Sequence, residues 1–265
     1  MRISRSLATC AFLAATFAAS TSEAQFSVRK PSVEDFHLDL RVNAWREEPD
    51  LVIKSGLNGT DVNLSTLFAF EQKWVPQVDA TIKLGRKQKL RLGYMALDYD
   101  KSTTLSDTFT FGGTTYAVNV PATAAFTWAE TRLGYEYDFV STPRGFFGFI
   151  AEAKLNQVKA TLSSPLAGTS VTDTMAPIPA LGGIARVYAV PNRFAITAEF
   201  TGIKVPKQDT FEGKLTNIDI YGTIRAGRHV GIDVGYRTFD VDYLVDADSG
   251  TFKIKGPYLG GSVRF

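Results

Sequence analysis

Residues 256–265 read Gly-Pro-Tyr-Leu-Gly-Gly-Ser-Val-Arg-Phe. Counting back from Phe265, Val263, Gly261, Leu259 and Pro257 fall on one side of an extended chain. Arg264, Ser262, Gly260 and Tyr258 fall on the other, because successive side chains of a strand point to opposite faces. A strand with one apolar face has two homes: a sheet packed on a core, or a barrel wall packed on lipid. This stretch alone permits both, so the remainder of the chain has to choose.

The same period-two pattern recurs upstream and predicts strands over Phe36–Trp45, Val75–Gly85, Lys89–Tyr99, Ala125–Phe139, Phe146–Ala160, Ala180–Tyr188, Phe194–Lys204, Leu215–Ala226, Gly231–Leu244 and Thr251–Phe265. Short turns join alternate pairs: Arg86-Lys87-Gln88, Ser141–Arg144, Pro191-Asn192 and Gly227-Arg228-His229, each with the Gly, Pro, Asn or charged residues that turns use. The other connections, Arg46–Trp74, Asp100–Ala124, Thr161–Met175 and Val205–Lys214, are long, and Val245–Gly250 is shorter. Short turns on one rim and long loops on the other predict an all-β fold. The expected fold is a single antiparallel transmembrane β-barrel of about ten strands, or eight if strands at the first or sixth position are too weak, with periplasmic turns and extracellular loops. The closing strand then pairs with the first, leaving no edge.

Arg2 and Arg5 precede an apolar stretch, Leu7–Ala19, and small residues at Ser22 and Ala24 satisfy the rule for a secretory signal cleaved after Ala24. Residues 1–24 are thus a signal peptide, 25–35 a polar periplasmic leader and 36–265 one barrel domain. Cys10, the only cysteine, leaves with the signal, so no disulfide or thiolate site is expected. No later segment holds the 18 apolar residues of a membrane helix, so a membrane protein would have to be a barrel. With 29 Lys and Arg against 27 Asp and Glu, no basic face for nucleic acid is expected.

A lumen needs balanced charge where a wetted sheet face does not, and that breaks the tie between soluble sandwich and barrel. The polar faces carry eight acids, Asp39, Asp79, Glu130, Glu136, Glu152, Glu199, Asp219 and Asp233, and eight cations, Arg41, Lys83, Arg91, Arg132, Lys154, Arg186, Arg225 and Arg237. Arginine, whose fork suits bidentate carboxylate pairing, supplies most of the cations. Phe36, Leu38, Leu40, Val42 and Ala44 are expected on the lipid face of the first strand, and Tyr135, Tyr137 and Phe139 in an aromatic girdle. Trp45 and Trp128 fall by parity on the lumen side. Near Thr238 the phase slips, from Ile232, Val234 and Tyr236 to Phe239, Val241 and Tyr243, which predicts either a bulge or emergence from the membrane.

Catalytic chemistry is thinly represented. His37 and His229 both fall at the short-turn end, away from any outer-rim site that would use a general base. The outer acids Asp98, Asp100, Asp240, Asp242, Asp246 and Asp248 would have to act without histidine. Asp246-Ala-Asp248-Ser-Gly250 resembles the opening of a calcium loop but lacks the downstream glutamate, so a hairpin turn is expected. Gly182-Gly183 and Gly260-Gly261 suit close strand approach better than a phosphate cradle. No cofactor or metal is expected.

A last strand ending in Phe265 resembles the signal by which Gram-negative bacteria recognise outer-membrane barrels for insertion. Together with the ten segments and their connections it resembles, over Phe36–Phe265, the small outer-membrane barrels of the OmpA, OmpW and opacity-protein type. The resemblance is architectural. It implies outer-membrane lipid, lipopolysaccharide and the barrel-assembly machinery as partners. OmpA-like members imply a plugged, charge-filled lumen, and OmpW-like members a narrow conduit; the paired charges favour the plugged form. A structural or surface-interaction barrel is therefore expected, ahead of a narrow channel for small solutes and of a lipid- or peptide-modifying enzyme.

Overall fold

A computed structural model describes residues 34–54, 59–206, 211–245 and 248–265. The predicted signal peptide with its expected cleavage point at Ala24, the predicted leader before Glu34, and Asp246 lie outside the described residues. The elements are β1 (Leu38–Lys54), β2 (Val62–Asn63), α1 (Leu64–Leu67), β3 (Lys73–Lys83), β4 (Gln88–Thr104), β5 (Phe109–Phe111), β6 (Thr114–Tyr116), β7 (Pro121–Thr142), β8 (Gly145–Ser164), β9 (Gly168–Val190), β10 (Phe194–Val205), β11 (Phe211–Ala226), β12 (Val230–Val245) and β13 (Asp248–Arg264).

Ten of these strands form the wall, in the order β1-β3-β4-β7-β8-β9-β10-β11-β12-β13. The ring closes where β13 pairs antiparallel with β1, from Asp39↔Arg264 to Lys54↔Ser249. Eight strands are thereby excluded. Backbone bonds lock the seam: the Phe265 carbonyl accepts from the His37 and Leu38 amides at 2.6 and 3.1 Å, and the Phe265 amide donates to Leu38 at 2.8 Å. At the short-turn end, Asn192 and Gly227 take the positive φ values that tight turns require, 61° and 73°.

Around the lower part of the wall, parity puts apolar side chains outward. Val42, Ile220 and Leu259 are each more than half exposed, as are Ile232 and Val234. Tyr135, Tyr137 and Phe139 also face outward, and the Phe139 ring meets Phe147 edge-on at 4.7 Å. One expectation changes at this rim. Phe36 precedes β1 and is buried inside the mouth instead of joining the lipid face.

The larger correction concerns the long connections. Much of the sequence predicted as loop is strand: β1 runs on to Lys54, β4 to Thr104, and β8 and β9 nearly meet, leaving only residues 165–167 between them. The physical reason is an inversion of polarity without a change of period. Low in β1 the outward residues are Leu40, Val42 and Ala44; higher up, Arg46, Glu48 and Asp50 face outward while Leu51 and Ile53 are buried. The upper walls therefore resemble a water-soluble sandwich, apolar inside and charged outside. The slip near Thr238 is the same event. Register with β11 and β13 passes unbroken through Thr238, and Phe239 points inward because the interior there has become apolar, so there is no bulge.

Two seams divide these upper walls, and proline marks both. The β3–β4 ladder ends at Gln77↔Met95, where the next β3 residue, Pro76, has no amide to donate. The β9–β10 ladder ends at Leu181↔Gly202, with Pro179 and Pro177 just beyond. Above these points β4-β7-β8-β9 stands as one sheet and β10-β11-β12-β13-β1-β3 as another.

Candidate functional site

Inside the ring the side chains form storeys. Lowest, at the short-turn end, Asp39 accepts from Arg264 Nε at 2.5 Å and lies 3.5 Å from Arg225. Glu136 accepts from Lys89 at 2.7 Å and from Arg91 at 2.8 Å, and Asp138 lies 2.9 Å from Lys89. Arg186 donates to Thr223 at 3.1 Å. Glu34, from the segment before β1, reaches into this storey.

One level up, Arg91 turns its other nitrogen to Glu199 at 2.5 Å, joining β4 to β10 across the lumen, and Glu199 also accepts from Tyr221 at 3.2 Å. Arg41 lies 3.3 Å from Asp233 and stacks on Tyr221 at 4.4 Å. Arg132 donates to Asp79, passing over Gly93, where a Cβ would stand 2.9 Å from the guanidinium Nε; only glycine leaves that room.

Above them Glu152 lies 3.0 Å from Lys154 and accepts from Thr201 at 2.6 Å. Arg237 on β12 reaches Glu130 on the facing strand β7 at 3.4 Å, and donates to Asn217 at 2.8 Å and Gln77 at 3.1 Å. Lys154 adds a contact to Glu130 at 3.6 Å. Asp219 accepts from the Tyr258 hydroxyl at 2.8 Å, with no cation within ion-pair distance among the described residues.

The Arg237 guanidinium lies 5.2 Å from the Trp45 ring, and here the lumen changes character. Trp128, Phe239 and Phe252 pack with ring centroids 4.8–6.1 Å apart. Further up, Leu51, Phe126 and Leu162 fill the space between the two sheets. The hairpin β5–β6 drops Phe111 and Tyr116 into the same filling, held by a 2.9 Å bond from the Tyr116 hydroxyl to the Leu162 carbonyl. The interior is thus charged and paired below, aromatic in the middle and apolar above. One cavity of about 40 Å³ opens among the lower charges.

All sixteen predicted lumen charges point inward. Lys83 is partly buried, as are Arg41, Asp79, Asp219 and Arg225; it donates to the Glu34 backbone carbonyl and, among the described residues, has no carboxylate within ion-pair distance. Four further charged residues belong to the network, Glu34, Lys89, Asp138 and Arg264, two acids and two cations, so the balance is kept. Lys89, Asp138 and Arg264 share the inward parity and could have been found that way; they sit at the ends of the predicted strands, outside the mid-strand positions from which the charges were taken. Glu34 carries no periodic signal.

His37 and His229 stand at the short-turn end, where His229 Nδ1 lies 2.8 Å from the Arg264 carbonyl. At the other rim Asp98 is bonded by Lys73 at 3.0 Å and Asp242 by Thr251 at 2.9 Å. A concavity of about 480 Å³ there is lined by charges of both signs, including Lys54, Lys204, Lys214, Glu212 and Asp242. Among the described residues, no three His, Cys, Asp or Glu side chains converge as metal ligands would.

No protein-family model matches this sequence, and no curated protein does. Solved structures do match by shape. The outer membrane protease OmpT from Escherichia coli is 9% identical, with 88% of this chain covering 100% of that one at a TM-score of 0.58. Ail, the attachment invasion locus protein of Yersinia pestis, is 7% identical over 87% of this chain and 99% of that one, with a TM-score of 0.39. Neisserial surface protein A is 13% identical over 86% and 97%, with a TM-score of 0.36. At such identities the likeness is one of fold, and the fold is that of an outer-membrane β-barrel.

Proposed function

We propose that this protein is an outer-membrane barrel with a closed lumen and a structural or surface-interaction role. In this reading a signal peptide cleaved after Ala24 exports it, and the barrel-assembly machinery inserts it by way of Phe265. Its apolar belt sits in lipid and lipopolysaccharide, with short turns in the periplasm and tall walls outside. The observation that carries the reading is the continuous filling of the lumen, from the Asp39–Arg264 pair through the Arg237–Glu130 bridge to the packed rings of Trp128 and Phe252. A conduit would need an unbroken wet path, and dispersion-packed aromatic rings admit none. Planar bilayer recordings test this: purified protein gives no large, stable single-channel conductance, and such a conductance would establish the narrow channel in its place.

An OmpT-like shape raises the enzyme reading, which the placement of the two histidines disfavours. Proteolysis or lipid hydrolysis lost on an outer-rim Asp→Asn change, yet kept after His37→Ala and His229→Ala, would establish it. Fractionation with the outer membrane and heat-modifiable gel migration are expected.

A further inference from the structure

Glu34 occupies its position as a ligand occupies a site. It lies on no strand, so no ladder fixes it; among the described residues its one backbone–backbone bond is a turn bond, from the Phe36 amide at 3.2 Å. Yet its side chain is buried at the short-turn mouth among cations from separate strands. One carboxylate oxygen lies 3.7 Å from Arg264 and 3.9 Å from Arg186 and accepts from the Tyr188 hydroxyl, and the other lies 3.6 Å from Lys89. Lys83 donates to its backbone carbonyl.

The cations do not depend equally on it. Lys89 also has Glu136 and Asp138, and Arg264 has Asp39. Among the described residues, Glu34 is the only carboxylate within ion-pair distance of Arg186, and no carboxylate lies that close to Lys83, which bonds the Glu34 backbone carbonyl instead. Removing Glu34 leaves a buried guanidinium with no described carboxylate in ion-pair contact, a state that costs enough to recruit an anion from solution. The mouth also has the form of a carboxylate site: two guanidinium groups, an ammonium and a phenol converge on one pair of oxygens.

We infer that the short-turn mouth of the barrel is a carboxylate-binding site, which the chain fills with its own Glu34 and which takes a small free monocarboxylate when Glu34 is withdrawn. The inference goes beyond the closed-lumen reading and does not depend on whether the barrel conducts. Burial alone would raise the Glu34 carboxyl, but the Lys89, Arg264, Arg186 and Lys83 charges overcome it and hold the group below its ordinary value, as a bound anion requires.

The test is chemical rescue in the detergent-folded full chain. Glu34→Ala lowers the temperature at which heat-modifiable migration is lost. Millimolar acetate, at an ionic strength matched with chloride, restores at least half of the loss in a saturable manner. Wild type and Glu34→Gln, whose side chains still fill the site, show no acetate effect. A Glu34→Ala protein as stable as wild type, or an acetate effect equal in all three, overturns the proposal. If Glu34→Ala does not fold, Glu34→Cys in a Cys10→Ser background replaces it. A cationic mouth makes an anionic methanethiosulfonate react roughly tenfold or more faster than a cationic one; equal rates, or a faster cationic reagent, overturn the proposal.

Discussion

Replacing Arg91 by Met removes the one side chain that bridges β4 to both Glu136 and Glu199, at 2.8 and 2.5 Å. Glu136 keeps Lys89 at 2.7 Å, but among the described residues Glu199 keeps no cation in ion-pair contact and only the Tyr221 hydroxyl as a hydrogen-bond donor, at 3.2 Å. A buried carboxylate stranded in this way costs about 3–5 kcal/mol, whereas the same pair in a water-filled pore would be worth about 0–1 kcal/mol. The two outcomes are far enough apart to decide whether the lumen is filled. Glu199→Gln alone leaves Arg91 with Glu136 and costs about 1–3 kcal/mol. In the double variant nothing is stranded, so its cost falls short of the sum of the singles by about 1–2 kcal/mol. The assay is reversible urea unfolding in lipid vesicles, followed by tryptophan fluorescence. A loss under about 1 kcal/mol for Arg91→Met, additive with Glu199→Gln, means that water screens the pair, and the closed lumen fails.

Further outcomes are expected at the short-turn rim. Phe265→Asp keeps the backbone bonds to His37 and Leu38 but loses the aromatic side chain, and deleting Phe265 loses both; each reduces the heat-modifiable fraction in the outer membrane, and normal assembly of both refutes a role in insertion. Because the folded chain holds the Glu34 carboxyl below its ordinary 4.5, the group stabilises the barrel above that pH, and the contribution drains away as pH falls through the lower folded value. Glu34→Gln should therefore be less stable than wild type near neutrality and show a flatter acid limb in unfolding midpoints; identical limbs refute the linkage.

Strand number, partners and faces were legible because the period of two runs along the wall strands, with register shifts at Asp138/Val140 and Phe194/Ala195 beside the short turns, whatever the solvent outside. The heights were not legible, because apart from Trp45, Trp128 and the slip near Thr238 the apolar residues were assigned outward. In β7 the inward Phe126 and Trp128 obey the same parity as the inward Glu130 and Arg132, but the surroundings exchange roles between them. Parity is a property of the backbone, whereas polarity belongs to whatever lies outside it, lipid below and water above. The lumen charges were readable for the same reason, each being inward by count. Glu34 was not, since a residue that enters the mouth from a non-repeating segment leaves no period to count.

The proline-marked seams make wall height adjustable. Above Leu181, β9 pairs only with β8, and their hairpin tip exposes Leu166. Two residues added to each strand of that hairpin would lift its tip by about 7 Å while keeping each inward side chain inward. The ring below, with its charges and its closing pair, would register no difference. How far the protein stands from the membrane can therefore be set hairpin by hairpin, in steps of two residues.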